Sequence, residues 1–187
     1  TYEENEKLWN KIIRITEEKN KAIEIITILD KIPGSAFSNG GVIKFGPDGK
    51  LYAGTGSVSD FSDESQNLNS LTGKILRLND DGTVPSDNPF DESHVFTLGH
   101  RNPTGFAWNN EGQMYATESG PTKNDEINII NNPLTDIKNF GWPISSYGEH
   151  YGGRIERNKK KYLKAPLNKS HLKYGFAEPS IYFKRSI

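Results

Sequence analysis

The sequence predicts an all-β fold built from repeated antiparallel units of four short strands, the pattern of a β-propeller. Compared with itself, the chain shows Lys11-Ile12-Ile13-Arg14-Ile15-Thr16 again as Lys74-Ile75-Leu76-Arg77-Leu78-Asn79, an offset of 63 residues. The same offset separates Phe45-Gly46-Pro47-Asp48-Gly49-Lys50-Leu51-Tyr52-Ala53 from Trp108-Asn109-Asn110-Glu111-Gly112-Gln113-Met114-Tyr115-Ala116. Two segments sharing one offset define a repeat, and such a repeat is one supersecondary unit that buries its faces against its neighbours. No segment reads convincingly as a helix, which leaves strands as the building blocks.

The strand at residues 11–16 and the run at residues 22–29 are rich in Ile and Thr, as strands are. Residues 45–53 read as a β-hairpin: an apolar strand, a turn carrying Pro-Asp-Gly, then Leu-Tyr-Ala, with Gly49 where a positive φ is wanted. Residues 74–79 supply the next strand and residues 94–98 an outer one. Residues 108–116 repeat the hairpin with Asn-Glu-Gly in its turn, and residues 126–131 repeat the strand after it, across a shorter loop. Loops that vary between constant strands are expected where they form a binding face. Asn79-Asp80-Asp81-Gly82-Thr83 lacks the spacing and terminal Glu of a calcium loop and reads as a hairpin turn. Beyond Pro143 the chain reads as loop, with the lysines at 159–161 on a solvated stretch and Asn168-Lys169-Ser170 as a coincidental glycosylation pattern.

Composition narrows the function classes. Lys and Arg number 23 against 24 Asp and Glu, a net charge of −1, so the basic surplus of a nucleic-acid binder is missing. The longest apolar runs are a few residues, far short of the roughly 20 that a membrane-spanning helix needs. With no cysteine, disulfides, thiolate metal sites and cysteine nucleophiles are excluded together. The opening Thr-Tyr-Glu-Glu-Asn-Glu has neither a starting Met nor the basic-then-apolar layout of a signal peptide, so the chain reads as a piece of a longer one.

Two stretches concentrate chemistry. In Leu98-Gly99-His100-Arg101-Asn102-Pro103-Thr104-Gly105, directly before the second hairpin, Arg101 offers a fork of donors to an anion and Asn102 offers donor and acceptor. An arginine tying adjacent units together is an equal alternative. In Glu118-Ser119-Gly120-Pro121-Thr122-Lys123-Asn124-Asp125-Glu126, the carbonyls of Gly120-Pro121 stand near carboxylates, the hard oxygen donors that calcium takes. A polar turn before a strand is the plainer reading. His94, His150 and His171 lie far apart without metal-ligand spacing, and no Ser–His–Asp arrangement, GxGxxG or P-loop presents itself.

Taken in order, Asn39-Gly40-Gly41, Phe45-Gly46-Pro47-Asp48-Gly49, Leu71-Thr72-Gly73-Lys74-Ile75-Leu76-Arg77-Leu78-Asn79, Asp87-Asn88-Pro89, Leu98-Gly99-His100-Arg101-Asn102-Pro103, Gly120-Pro121, Asp125-Glu126-Ile127-Asn128 and Phe140-Gly141-Trp142-Pro143 resemble the soluble glucose/sorbosone dehydrogenase family. The resemblance implies a partial six-bladed propeller: about three four-stranded blades, with residues 1–187 a fragment of one domain truncated at both ends. It implies a dehydrogenase dependent on pyrroloquinoline quinone and Ca2+ that oxidises the C1 hydroxyl of an aldose to a lactone. Arg101 and Asn102 would contact the cofactor, Arg101 stabilising charge on the quinone oxygen, and Ser119 stands at a cofactor-facing position. The carbonyls of Gly120 and Pro121 would hold a calcium acting as Lewis acid, and Glu126 with the Phe140 carbonyl would serve a second, structural calcium. A secreted or periplasmic location is implied as well, whereas the electron acceptor and oligomeric state are not.

Three positions depart from the family pattern. Ser38 stands where the family carries the His that removes the sugar hydroxyl proton. A serine hydroxyl has no useful basicity near pH 7, and losing a general base slows a reaction about 10²–10⁴-fold. Ser57 stands where an acid is common, and Ser119 where some members present Gln. The sequence therefore reads as a quinoprotein sugar dehydrogenase-like chain with impaired catalysis. The alternative is a non-catalytic binding propeller related to the Hedgehog-interacting protein ectodomain.

Overall fold

The computed structural model describes residues 1–58, 63–121, 124–131, 138–146, 171 and 175–183. In chain order the strands are β1 (Tyr2–Glu4), β2 (Lys7–Glu18), β3 (Lys21–Pro33), β4 (Gly40–Phe45), β5 (Leu51–Thr55), β6 (Lys74–Leu78), β7 (Val95–Leu98), β8 (Pro103–Trp108), β9 (Met114–Glu118), β10 (Glu126–Ile130) and β11 (Ile181–Tyr182). Among the described residues the one helical piece is a 3₁₀ turn at Asp63–Gln66. The strands pair antiparallel with their sequence neighbours into three sheets, β1 to β3, β4 to β7 and β8 to β11. These are propeller blades, with one correction to the expected count: the first sheet has three strands where four were expected. It is dominated by a long hairpin, β2 and β3, joined through Lys19 and Asn20, both at positive φ of 53° and 62°. That pair of left-handed residues is the geometry of a type I′ turn.

The repeat is explicit in the turns. Gly46 N–H donates to Lys50 O (2.9 Å) and Gly49 N–H to Gly46 O (3.0 Å); Asn109 and Gly112 make the same two bonds to Gln113 O and Asn109 O, both at 3.1 Å. Gly49 and Gly112 have φ of 73° and 78°, the conformation that selects glycine. The expected turn at residues 79–83 has the same construction, with Gly82 N–H on Asn79 O and φ of 91°.

The middle sheet is covered on both faces, so its strands alternate between two cores. Leu51, Ala53, Leu76, Leu78 and Val95 face Ile12, Ile28 and Ile32 of the first sheet. Tyr52, Ile75 and Phe96 point the other way, to Phe106, Met114, Ala116 and Ile130 of the third. Ile75, Leu76, Leu78 and Val95 are completely buried, each contributing about 1.5–3 kcal/mol of apolar burial.

A strand without a solvent face must also satisfy its charges internally. Lys74, fully buried, donates from Nζ to the carbonyls of Glu64 (2.8 Å), Ser65 (3.0 Å) and Thr72 (2.6 Å), fastening the loop after β5. Arg77 is held by Asp48 (2.9 Å), by both oxygens of Asp87 (2.8 and 3.0 Å) and by Asn88 (2.9 Å). Burial pushes the Lys74 amine down to about 7, opposed by the Glu64 carboxylate. Below pH 7 both folded and unfolded chains carry the proton and the burial penalty is complete. Between about 7 and the ordinary lysine value of about 10.4 the unfolded chain binds the extra proton, so stability rises with pH, at up to about 1.4 kcal/mol per pH unit. Lys74→Met is expected to remove that slope and to lower stability by about 3 kcal/mol through the unpaired carbonyls. Urea unfolding of both proteins at about pH 7 and about pH 9 checks this; equal pH dependence in the two would refute it.

Candidate functional site

Strand alternation brings the starts of β4, β6, β8 and β10 and the ends of β5, β7, β9 and β11 to one end of the sheets. The candidate residues collect there. Ser38 precedes β4, Ser57 follows β5, Arg101 and Asn102 precede β8, Ser119, Gly120 and Pro121 follow β9, and Glu126 opens β10. Phe140 joins them because its N–H donates to Leu98 O at 2.8 Å. The Arg77 network lies near the hairpin turns at the opposite end, so Asp48, Asp87 and Asn88 of the family motifs have structural partners there.

The loop between β7 and β8 is held from every side. Gly99 N–H donates to Ser65 O (2.9 Å) and His100 N–H to Gly73 O (3.1 Å), while Ser57 N–H reaches Arg101 O (2.7 Å) and Ser119 N–H reaches Asn102 O (3.1 Å). Buried Arg101 donates from Nη1 to the carbonyls of Ser119 and Gly120, both at 3.0 Å, and its guanidinium lies 5.5 Å from the Trp142 ring centre, a cation–π distance. Asn102 accepts Gly40 N–H on Oδ1 at 2.9 Å, and its Nδ2 makes no hydrogen bond among the described residues.

Ser38, half-buried, sits at a positive φ of 54° beside that contact. Its loop is fastened by Asn39, which pairs with the backbone of Ser35 (2.9 and 2.8 Å) and accepts from Asn10 (3.0 Å). The buried Ser57 hydroxyl has no hydrogen-bond partner among the described residues. Gly120, Pro121, Glu126 and Phe140 come together around a cavity of about 20 Å³, which Ser145 and Ser146 also line. That is room for one water or one ion. Among the described residues no group of three or more His, Asp and Glu is placed to hold a metal.

Sequence reasoning missed two residues here. Glu118, at the end of β9 and buried, accepts the backbone N–H groups of Arg101 and of Asn102 (3.3 Å) on Oε1, and pairs with His100 Nδ1 on Oε2 at 2.8 Å. His100 Nε2 meets Thr97 Oγ1 at 2.8 Å, and the ring stacks on Phe140. Hydroxyl, imidazole and carboxylate thus stand in the order of a hydrolytic triad, yet Thr97 and His100 are wholly buried and no substrate reaches the hydroxyl. Of the histidines expected to be incidental, His94 bonds Gly82 O at 2.9 Å and is structural. His171 lines the small cavity, and burial holds its imidazole below the usual range. His150, the lysines at 159–161 and Asn168-Lys169-Ser170 lie outside the described residues.

Stacked blades whose loops gather a buried arginine, the two carbonyl oxygens that hold it and an asparagine at one end define a propeller with a built polar site. The chain belongs to the Glucose / Sorbosone dehydrogenase family, whose model matches residues 1–187. It is 31% identical over 183 residues to aldose sugar dehydrogenase YliI of Escherichia coli (strain K12), covering 92% of this chain and 45% of that protein. It is 32% identical over 171 residues to the HIPL2 protein of Arabidopsis thaliana, covering 72% of this chain and 24% of that one. Its fold matches the PQQ-bound form of the aldose sugar dehydrogenase from Streptomyces coelicolor with a TM-score of 0.72 at 34% identity, over 93% of this chain and 46% of the other. The chain therefore spans under half the length of these relatives.

Proposed function

We propose that this chain belongs to a quinoprotein that oxidises the C1 hydroxyl of an aldose to a lactone with pyrroloquinoline quinone, and that its catalysis is impaired at Ser38. Arg101 is the observation that supports it. A guanidinium held by two carbonyls over an aromatic ring is a fixed positive charge, suited to a ligand with three carboxylates and a quinone oxygen that gains negative charge. Asn102 adds amide donors beside it. When bound, the quinone supplies a two-electron acceptor for the C1 hydrogen and its electron pair. Arg101 stabilises the charge that results, Asn102 orients the ligand, and a separate base must take the hydroxyl proton. Ser38 does not supply that base.

Calcium fits less simply. Gly120 O, the donor expected to hold it, already receives Arg101 Nη1, and a divalent ion at 2.3–2.6 Å from that oxygen would stand against the guanidinium. A catalytic calcium there requires Arg101 to turn away from Gly120. The small cavity lined by Glu126, Phe140 and Pro121 has Arg101 on its wall as well, so a structural calcium held by Glu126 and the Phe140 carbonyl would meet the same guanidinium unless Arg101 turns away.

Further blades belong to the same reading, because Ile13, Ile15, Ile23 and Ile25 stand exposed on the first sheet, a face that a neighbouring blade would cover. So does a secreted or periplasmic location, with an aldose as small-molecule partner. Among the described residues no helix is long and apolar enough to cross a membrane.

The test is titration of the full-length polypeptide with pyrroloquinoline quinone and calcium, followed by dye reduction with a panel of aldoses. The expected result is saturable quinone binding with turnover near background. Absence of binding overturns the cofactor assignment, and brisk turnover overturns the impairment. Ser38 favours a second reading, a binding propeller without catalysis, in line with the similarity to the HIPL2 protein; binding of neither quinone nor sugar would support it.

A further inference from the structure

We propose that Glu118 and His100 form a positioning unit that sets Arg101 and Asn102 for the quinone. The proposal rests on the reading that those two residues receive the cofactor. Three consecutive residues converge on one buried carboxylate: His100 through Nδ1, Arg101 and Asn102 through their donating backbone N–H groups. Oε1 faces two backbone N–H donors and Oε2 an imidazole nitrogen, a set that a carboxylate, with acceptor capacity on each oxygen, can meet. Hydrogen bonds to a buried anion are also the strong kind, so the backbone at 100–102 is fixed by one side chain of the neighbouring hairpin.

His100 completes the unit. Nδ1 meets Glu118 and Nε2 meets the Thr97 hydroxyl at 2.8 Å, which anchors the imidazole between the carboxylate and β7 of the adjacent blade. Stacking on Phe140, with ring centres 4.6 Å apart, holds the ring from its face. The chain of contacts therefore runs Thr97, His100, Glu118, Arg101, and Arg101 in turn reaches Ser119 and Gly120, the residues that follow Glu118. One carboxylate closes a ring of contacts around the proposed binding end and ties two blades together.

The test uses the full-length polypeptide and Glu118→Ala, which removes the acceptor, with two readouts. Hydrogen exchange at the Arg101 and Asn102 amides is expected to accelerate at least about tenfold in the variant; unchanged protection overturns the proposal, and this readout needs no cofactor. Quinone affinity is expected to fall at least about tenfold, while in Arg101→Met the same Glu118 substitution weakens affinity by a smaller factor, since one of the two groups it positions is gone. Equal losses in both backgrounds would show that Glu118 acts only through general stability, and overturn it. If the unmodified protein binds no quinone, the functional reading fails while the amide exchange still decides the positioning. Should Glu118→Ala not fold, His100→Gln keeps the carboxylate, removes the imidazole, and is read at the same two amides.

Discussion

Ser38→His is expected to raise quinone-dependent aldose turnover by about 10²–10⁴, the span that a positioned general base contributes. The backbone already suits the change. Position 38 sits at φ 54°, a left-handed conformation in which histidine is among the enriched non-glycine residues. Its loop is fastened by Asn39, and the next N–H, that of Gly40, is bound to Asn102 Oδ1. The segment that would carry an imidazole at 38 is thus tied to Asn102, one of the proposed cofactor contacts. The base works only when neutral, so activity of the variant should rise with pH through about 6.5, whereas the background rate of the unmodified protein should show no such step. Quinone binding without any gain in turnover would show that the missing base is not what limits the chain.

The fold was legible where turn chemistry is strict. Glycine at the left-handed position of three similarly built turns made the hairpins visible, and the shared offset made them a repeat. The short strands β1 and β11 carry no periodicity that two or three residues could show, and the β2–β3 turn at Lys19-Asn20 lacks the glycine that usually marks it. The burial of Lys74 and Arg77 is not legible for a different reason. In Lys-Ile-Leu-Arg-Leu the two charges, three positions apart, fall on opposite faces of the strand; the sheet is covered on both, and each charge is satisfied inside, by carbonyls or by aspartates. At the site, Arg101, Asn102 and Gly120 stood out because loop residues with special chemistry are conspicuous. Glu118 and His100 did not, since their meaning comes from a contact spanning 18 positions and neither residue is unusual alone.

Gly56→Ala is expected to cost at least about 3 kcal/mol and to dismantle the binding end rather than the cores. A methyl group at Gly56 would lie 1.5 Å from Ser38 O and 3.0 Å from Asn102 Oδ1. The first contact is with backbone, so no side-chain rotation relieves it; either the segment before β4 or the end of β5 must move. Movement of the Ser38 segment pulls Gly40 N–H away from Asn102, and movement of residue 56 disturbs both Gly73 N–H, which donates to Gly56 O at 2.9 Å, and Ser57 N–H on Arg101 O. The buried residues that face the first and third sheets are untouched by either shift. Urea unfolding should therefore show a lowered midpoint with little change in m-value, and exchange at the Gly40, Ser57 and Gly73 amides should accelerate more than at Leu76 or Ile130. A stability loss below about 0.5 kcal/mol, the range of an ordinary surface substitution, would mean that the close approach of Gly56 to Ser38 does not hold this end together.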